Sequence, residues 1–124
     1  TKRPMATSEA FKAYDVVIMP FPYVDRMAEK RRPALVISSP ALSQLGVLWV
    51  AMITSAKNEP WECDVPIADL ERAGLPAPSV VRPAKIACIE PGRVVRVAGS
   101  LNARNAAPVR EWLAQFLARS RPAR

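Results

Sequence analysis

The sequence predicts a mainly β protein that ends in an α-helix. Short apolar, β-branched runs recur between residues 15 and 99, and proline or glycine separates them. Near residue 108 the apolar residues change to the spacing of a helix. A chain of 124 residues suits a single domain. We therefore expect a small β-barrel or twisted antiparallel sheet that is closed by a C-terminal helix.

Three strands are predicted in the first half of the chain. Residues 15–21 form a β-branched run that contains Pro20, which a strand tolerates at an edge or an end. After a polar connection of about eleven residues, long for a hairpin loop, residues 33–39 form the second run. Residues 47–54 are apolar at both alternating sets of positions, which predicts a central strand buried on both sides.

The second half is predicted to contain shorter elements and the helix. Residues 63–67 predict an edge strand, and residues 68–75 a short helix that Gly74 ends. Further strands are predicted at residues 79–81, 84–90 and 93–99. Residues 108–119 predict a helix, with Pro108 in its first turn. One face of that helix is apolar: Val109, Trp112, Leu113, Phe116 and Leu117.

The ends of the chain are assigned to flanking segments. We expect a flexible arm at residues 1–13, one folded domain at residues 14–119 and a basic tail at residues 120–124. No apolar run is long enough to span a membrane, and no signal peptide is recognisable, so the expected location is cytoplasmic, without a membrane partner. The two cysteines are far apart in the sequence and are expected to be buried, reduced thiols.

The absence of histidine narrows the catalytic and metal-binding chemistry that the chain can perform. It excludes Ser-His triads, Cys-His dyads, histidine-based ribonuclease chemistry and His-ligated zinc. No CxxC pair is present for a thiolate metal site, so we expect neither a metal nor another cofactor. Among the three tryptophans, Trp112 is expected in the core, Trp49 in the core or a dimer seam, and Trp61 is the candidate for exposure.

The net charge of +7 is typical of a nucleic-acid binder, but its distribution matters. Residues 13–92 carry eight basic and nine acidic residues, so the excess lies at the two ends. One basic cluster stands out within the domain: Arg26, Lys30, Arg31 and Arg32. An acidic stretch at residues 59–71 is expected to form a solvated rim that repels RNA.

Three segments carry a resemblance to a known family. They are VDRMAEKRRPALVISS, VAMITSAKN and SVVRPAKIACIEPGRV, in that order along the chain. Each is short, but their order and the spacing from Arg32 to Thr54 make the match specific. Over residues 14–119 the sequence resembles the MazF/PemK family of toxin endoribonucleases. It departs from the family at Tyr14, where a glycine usually precedes the Asp of the first strand, and at Pro108, in a region that is often helical in relatives.

The resemblance implies a fold, an activity and partners. It implies a homodimer of small SH3-like antiparallel β-barrels of the CcdB/PemK type. Such toxins cleave single-stranded RNA at a short sequence without a metal, leave a 2′,3′-cyclic phosphate, and are silenced by a cognate antitoxin. The catalytic arginine of the family falls on Arg32 and the catalytic threonine on Thr54. We assign RNA binding to the neighbouring residues Arg26, Lys30, Arg31, Ser55 and Lys57.

The residue types agree with this chemistry. RNA cleavage through its own 2′-hydroxyl requires removal of one proton, delivery of another, and stabilisation of the phosphorane charge. The guanidinium of Arg32 matches phosphate oxygens, and the hydroxyl of Thr54 can orient the attack. The general base is left open between Arg32, Asp25 and Glu29. Two other functions also stay open: a CcdB-like toxin that poisons a topoisomerase, and an RNA-binding module that does not cleave.

Overall fold

Strands dominate the computed structural model of the protein, which describes residues 11–21 and 30–118. The strands in these ranges are β1 (Asp15–Pro20), β2 (Arg31–Val36), β3 (Leu48–Ser55), β4 (Val65–Pro66), β5 (Ser79–Ile89) and β6 (Arg96–Ser100). The helices there are α1 (Pro40–Ser43), α2 (Leu70–Ala73) and α3 (Ala103–Phe116), and a 3₁₀ turn spans Pro91–Arg93.

The strands form one antiparallel sheet in the order β4-β5-β3-β2-β1-β6. The sheet curls into a half-barrel, and α3 packs against β5. This arrangement confirms the predicted fold class, mainly β with a C-terminal helix. Strand β2 begins at Arg31, two residues before the predicted start, so Arg31 and Arg32 are part of the sheet and not of the loop before it.

Strand β5 joins two runs that the sequence separates. The register with β3 changes between the pairs Ala51↔Ile86 and Met52↔Arg82, which leaves residues 83–85 as a bulge. Pro83 lies in this bulge, where a missing N–H costs no ladder hydrogen bond. The sequence therefore predicts the two halves of the strand correctly but breaks it at Pro83.

The core is divided between the two faces of the sheet. On the helix face, Ala51 and Ile53 of β3 pack with residues of α2 and α3. On the opposite face, Val50 and Met52 pack with apolar residues of β1, β2 and β5. Because side chains alternate along a strand, these two sets show to which face each of the remaining side chains in β3 projects. The predicted burial of β3 on both sides is confirmed over these four residues. Trp49 is 43% exposed, so of its two predicted places the core is wrong and the dimer seam stays a prediction.

Helix α3 begins at Ala103, five residues before the predicted start. Asn102 caps it by accepting a hydrogen bond from the N–H of Asn105, 2.8 Å away. Pro108 lies inside the helix, not in its first turn. The proline removes the hydrogen bond to the carbonyl of Arg104, an exposed residue in the first turn, where water can replace the lost donor. Proline therefore does not interrupt the helix here.

The apolar stripe of α3 extends beyond the sheet that it covers. Val109 is buried, and Trp112 and Leu113 are half-buried against the core of the helix face. Phe116 and Leu117, predicted on the same stripe, are 49% and 67% exposed. The last turn of the helix therefore presents apolar surface to solvent.

Tyr14, the first departure from the family pattern, adopts a backbone conformation that favours glycine. Its φ is +74°, the one positive φ of a non-glycine residue in the described ranges. Two hydrogen bonds fix this conformation: the N–H of Tyr14 donates to the carbonyl of Val36, and its own carbonyl accepts from Leu101. A glycine, the residue that the family resemblance leads us to expect here, takes this conformation without the steric cost of a Cβ.

Two glycines allow α2 to lie directly against β6. Gly74 ends α2 with a φ of +74°, and Gly99 of β6 faces the backbone of Arg72 and Ala73. A Cβ on Gly99 would overlap the Arg72 carbonyl oxygen. We expect Gly99→Ala to lower the free energy of unfolding by about 1–3 kcal/mol in urea titrations, since backbone must move to admit the methyl group. Gly92→Ala is the control, because a Cβ there meets nothing within 4 Å. Equal stability of the two variants would contradict the close approach.

The flanking segments lie mostly outside the described residues. This applies to residues 1–10 of the predicted arm and to the predicted tail at residues 120–124. Phe11, within the predicted arm, is described and is buried in the core of the opposite face, so it belongs to the folded part of the chain. Both cysteines are free; Cys63 is buried as predicted, but Cys88 is exposed. Cys88 lies between the buried residues Ala87 and Ile89 of β5, which project to the opposite face. Its own thiol therefore projects to the helix face, where it is exposed.

Candidate active site

Arg32 and Thr54 lie on neighbouring strands and point to the same face of the sheet. The register of β2 with β3 pairs Ala34 with Met52. Continued by two residues, this register places Arg32 opposite Thr54. Both residues are two positions from a member of the core of the opposite face, so both side chains project to that face. The structure thus brings together the two residues that the family resemblance singles out.

The guanidinium of Arg32 has an unused donor. Its Nε is buried and has no hydrogen-bond partner among the described residues. A buried donor without an acceptor costs roughly 1–3 kcal/mol, so an acceptor that enters the site recovers that cost. An oxygen of a phosphate group is a suitable acceptor for a guanidinium N–H. Arg32 is therefore arranged for a ligand rather than for a partner in the sheet.

The hydroxyl of Thr54 is oriented by its own loop. Its Oγ1 accepts a hydrogen bond of 2.6 Å from Nδ2 of Asn58, four residues further on. A hydroxyl that accepts one bond still has its own hydrogen to donate. Because the amide of Asn58 fixes the accepting side, the hydrogen of Thr54 is left for a group on the other side. Asn58 was not singled out from the sequence, and a polar residue four positions after the threonine is a weak signal for such a contact.

The predicted RNA-binding residues that the structure describes are exposed, and two of them project away from the face of Arg32 and Thr54. Lys30, Arg31 and Lys57 are exposed. Arg31 pairs with Pro20 and alternates with Arg32, so the two adjacent arginines point in opposite directions. Ser55 is also exposed, alternates with Thr54, and its Oγ accepts a hydrogen bond of 3.1 Å from the N–H of Lys57. The remaining predicted residue, Arg26, lies outside the described residues.

A buried ion pair beside this site was missed by the sequence reasoning. Arg82 pairs with Met52 across β5 and β3, so its side chain shares the face of Arg32 and Thr54. Its Nε donates to Asp64 Oδ1 at 2.8 Å and its Nη2 to Asp64 Oδ2 at 2.9 Å. The two side chains are 8% and 9% exposed. This geometry is the two-bond fork that a guanidinium forms with a carboxylate.

The pair also holds the loop between β3 and β4. Nη2 of Arg82 donates to the carbonyl of Glu59 at 3.0 Å, and Asp64 Oδ2 accepts from the N–H of Trp61 at 2.9 Å. Burial raises the pKa of Asp64, but the bonds from Arg82 and from the Trp61 N–H outweigh this effect and leave the pKa below its ordinary value. Asp64 is therefore ionised at neutral pH and occupied by structural contacts.

Only part of the acidic stretch at residues 59–71 forms the predicted solvated rim. Glu59, Glu62 and Glu71 are exposed, as the prediction requires. Asp64 instead neutralises Arg82, and Asp69 accepts a hydrogen bond of 3.0 Å from the N–H of Arg72 as the N-cap of α2. A carboxylate directly before a short strand and an arginine inside an apolar run are the available signals for this pair.

The chain belongs to a known family on the basis of its sequence profile. The family described as "PemK-like, MazF-like toxin of type II toxin-antitoxin system" matches residues 12–117. This chain is a member of that family. A comparison with curated protein sequences gave no match.

Solved structures share the fold of this PemK/MazF-family chain. MazF from Deinococcus radiodurans is 23% identical with a TM-score of 0.68, over 86% of this chain and 94% of that one. The Mycobacterium tuberculosis toxin MazF-mt6 is 24% identical with a TM-score of 0.65, over 82% and 93%. A structure described as an endoribonuclease in complex with its cognate antitoxin, from a mycobacterial species, is 13% identical with a TM-score of 0.67, over 85% and 92%. The shared fold extends over most of each chain.

Two further properties of this PemK/MazF-family chain concern residues 11–21 and 30–118. No group of three or more Cys, Asp or Glu side chains in these ranges is arranged to hold a metal ion. No helix in the same ranges is long and apolar enough to cross a membrane.

Proposed function

We propose that this chain is the toxin of a type II toxin-antitoxin pair and acts as a sequence-specific endoribonuclease on single-stranded RNA. The 2′-hydroxyl loses its proton and attacks the adjacent phosphorus, the bond to the 5′-oxygen breaks, and that oxygen takes up a proton. The products are a 2′,3′-cyclic phosphate and a 5′-hydroxyl. One observation carries the proposal: the Nε–H of Arg32 is buried without a partner among residues 11–21 and 30–118, on the face of the sheet to which Thr54 also projects.

Each of the two residues has a separate role in this reaction. The N–H groups of Arg32 donate to the non-bridging oxygens of the phosphate, whose charge increases as the phosphorane forms. Because the Nε of Arg32 is already buried without RNA, part of the side chain's freedom is lost before the chemical step, which limits the reorganisation that the step requires. The Thr54 hydroxyl, fixed by Asn58, donates to the same phosphate and aligns it for in-line attack.

The proton acceptor for the 2′-hydroxyl is not Asp64. Its carboxylate is bonded by Arg82 and has a lowered pKa, and both properties make it a weak base. The candidates from the sequence were Arg32, Asp25 and Glu29. Asp25 and Glu29 lie outside the described residues, and the proposal keeps the three as alternatives.

The basic residues around the site are assigned to the RNA backbone. Exposed cations on a protein that binds RNA release counterions and give a salt-dependent affinity. Lys30, Arg31 and Lys57 are exposed, which supports their assignment to this role, and Arg26 is assigned to it from the sequence. Ser55 is assigned to RNA binding as a hydroxyl donor beside Lys57.

The proposal includes two protein partners. The first is a cognate antitoxin, as in the mycobacterial complex. The second is another copy of this chain, which would cover the apolar groove where the stripe of α3 continues beyond the sheet. That groove has a volume of about 320 Å³ and is lined in part by Trp49, Ile86, Phe116 and Leu117, all of which are at least 40% exposed. Exposed apolar surface of this kind is typical of interfaces between subunits.

The proposed activity predicts cleavage in the presence of a chelator. We expect the purified protein to convert mixed single-stranded RNA into discrete fragments that end in a 2′,3′-cyclic phosphate, with EDTA present throughout, because Arg32 and Thr54 do not require a metal ion. Electrophoresis and mass spectrometry of the fragments measure this result. RNA that is bound but stays intact would favour a non-cleaving RNA-binding module. Activity that appears only after a divalent metal is added would contradict the mechanism.

A further inference from the structure

Trp61 is exposed, yet it is fixed in position by three contacts. Its indole is 42% exposed. Its backbone N–H donates to Asp64. The guanidinium carbon of Arg82 lies 4.5 Å from the centre of the ring, and Nζ of Lys85 lies 5.7 Å from it. A large aromatic side chain that is both exposed and held by cations is arranged for a contact that the isolated chain does not make.

The indole stands beside the proposed active site. Arg82, against which it packs, projects from the same face of the sheet as Arg32 and Thr54. The loop that carries Trp61 begins directly after β3 and also supplies Asn58, the hydrogen-bond donor to Thr54. One loop therefore positions both the reactive hydroxyl and the indole. A strand of RNA that binds between Arg32 and Thr54 lies on the face of the sheet from which Arg82, the support of Trp61, also projects.

The charges around Trp61 indicate which part of the RNA it contacts. Glu59 and Glu62 are exposed on either side of it, and their carboxylates repel phosphate groups. A nucleobase is neutral and presents a flat face, which stacks on an aromatic ring without regard to its identity. The same carboxylates disfavour an acidic peptide at this position. The contact that fits is a base, with its phosphate turned towards the basic edge of the site.

We propose that Trp61 is a stacking platform for a nucleobase next to the cleaved phosphate, held by the Arg82–Asp64 pair. The inference rests on the proposed RNA-cleaving function and names a positioning residue for it. Stacking orders the single strand, so that the phosphate enters the space between Arg32 and Thr54 in one register. Trp61 takes no part in the transfer of protons.

The test measures RNA binding without cleavage. In an Arg32→Ala background, a short mixed-sequence single-stranded RNA is titrated while tryptophan emission is recorded. We expect quenching with Trp49→Phe added and its loss with Trp61→Phe, since these two indoles are equally exposed but lie on opposite faces. We expect Trp61→Ala to weaken affinity by about tenfold without changing the slope of log affinity against log salt, because no cation is removed. Trp61→Phe, which keeps an aromatic ring, should retain most of the affinity.

The outcomes separate this inference from the proposed function. RNA that binds without any change in the emission of Trp61, or that binds Trp61→Ala with unchanged affinity, overturns the stacking role and leaves the proposed function intact. A loss of antitoxin binding in Trp61→Ala with normal RNA affinity assigns the indole to a peptide contact and also overturns it. If RNA binds to none of the proteins, including the parent with Arg32 intact, the proposed function fails and the inference fails with it. An RNA strand of the same length without bases should not quench Trp61, and quenching by it would overturn the inference.

Discussion

Replacement of Arg32 by alanine is expected to lower the single-turnover rate of RNA cleavage by about 10²–10³-fold. The N–H groups of this side chain are the donors for the charge that develops on the phosphorane, and its Nε has no other partner among the described residues. RNA affinity should fall only modestly, because the remaining cations still attract the backbone. Rapid-mixing kinetics at saturating protein measure the rate, and filter binding measures the affinity.

Arg31→Ala is the matched control, since it removes the same charge one residue away. Arg31 is exposed and points in the opposite direction from Arg32. We expect it to weaken RNA binding, to reduce the slope of log affinity against log salt by up to about one unit, and to leave the saturated rate within roughly tenfold. Loss of saturated cleavage in Arg31→Ala, with only weaker binding in Arg32→Ala, would show that the two roles are assigned to the wrong arginines.

Arg32→Lys separates charge from geometry. Lysine keeps the positive charge but lacks the planar fork of donors, so it cannot bond two phosphate oxygens in the same way. We therefore expect its rate to resemble that of the alanine variant.

Periodicity predicts most of the sheet because burial on a sheet alternates with each residue. In β3 four successive apolar residues are buried, alternately on the two faces of the sheet, and the fold class follows from such runs. Proline is the main source of error in the predicted bounds of strands and helices. Pro83 lies within a bulged strand and Pro108 within a helix, although both residues predict an interruption. At Pro83 the bulge leaves no ladder hydrogen bond to lose, and at Pro108 the freed carbonyl belongs to an exposed residue that water can reach. Local sequence reveals neither arrangement.

Residues of the candidate site can be predicted from the sequence where they lie next to an apolar run that predicts a strand. Arg32 and Thr54 are found because each adjoins an apolar run in a recognisable motif. The Arg82–Asp64 pair is not found, because its members are 18 positions apart and meet through the pairing of β4 with β5, whose register, continued by one residue from Val65↔Val81, places Asp64 opposite Arg82. Trp61 could be singled out as a candidate for exposure, but its support by Arg82 depends on the same pairing of β4 with β5.

This pair leads to the largest expected effect on stability. Asp64→Ala leaves the guanidinium of Arg82 buried with only the carbonyl of Glu59 as a described acceptor. Removal of one member of a buried ion pair costs about 3–5 kcal/mol, because the other charge remains without compensation. We expect the unfolding temperature to fall by roughly 10 °C or more, as measured by calorimetry. The loop at residues 59–64 should also become more accessible to protease.

Asp69→Ala is the control from the same acidic stretch. Asp69 is exposed and caps α2, so its loss should cost about 1 kcal/mol. A double variant, Asp64→Leu with Arg82→Met, should recover most of the lost stability, since it replaces both charges by apolar groups of similar size. If Asp64→Ala is no less stable than Asp69→Ala, the pair does not hold the loop in solution.

The dependence on pH gives an independent measure of the same pair. The pKa of Asp64 is lower in the folded protein than its ordinary value of about 3.9. The contribution of the Asp64 carboxylate to the free energy of unfolding is therefore complete above its ordinary pKa and is lost as the pH falls through the folded-state pKa. We expect the difference in unfolding free energy between the parent protein and Asp64→Ala to be constant from neutral pH down to about pH 5 and to shrink below about pH 4. A difference that instead shrinks as the pH rises from 5 to 8 would mean that another group, and not the Asp64 carboxylate, stabilises Arg82 and the loop that carries Trp61.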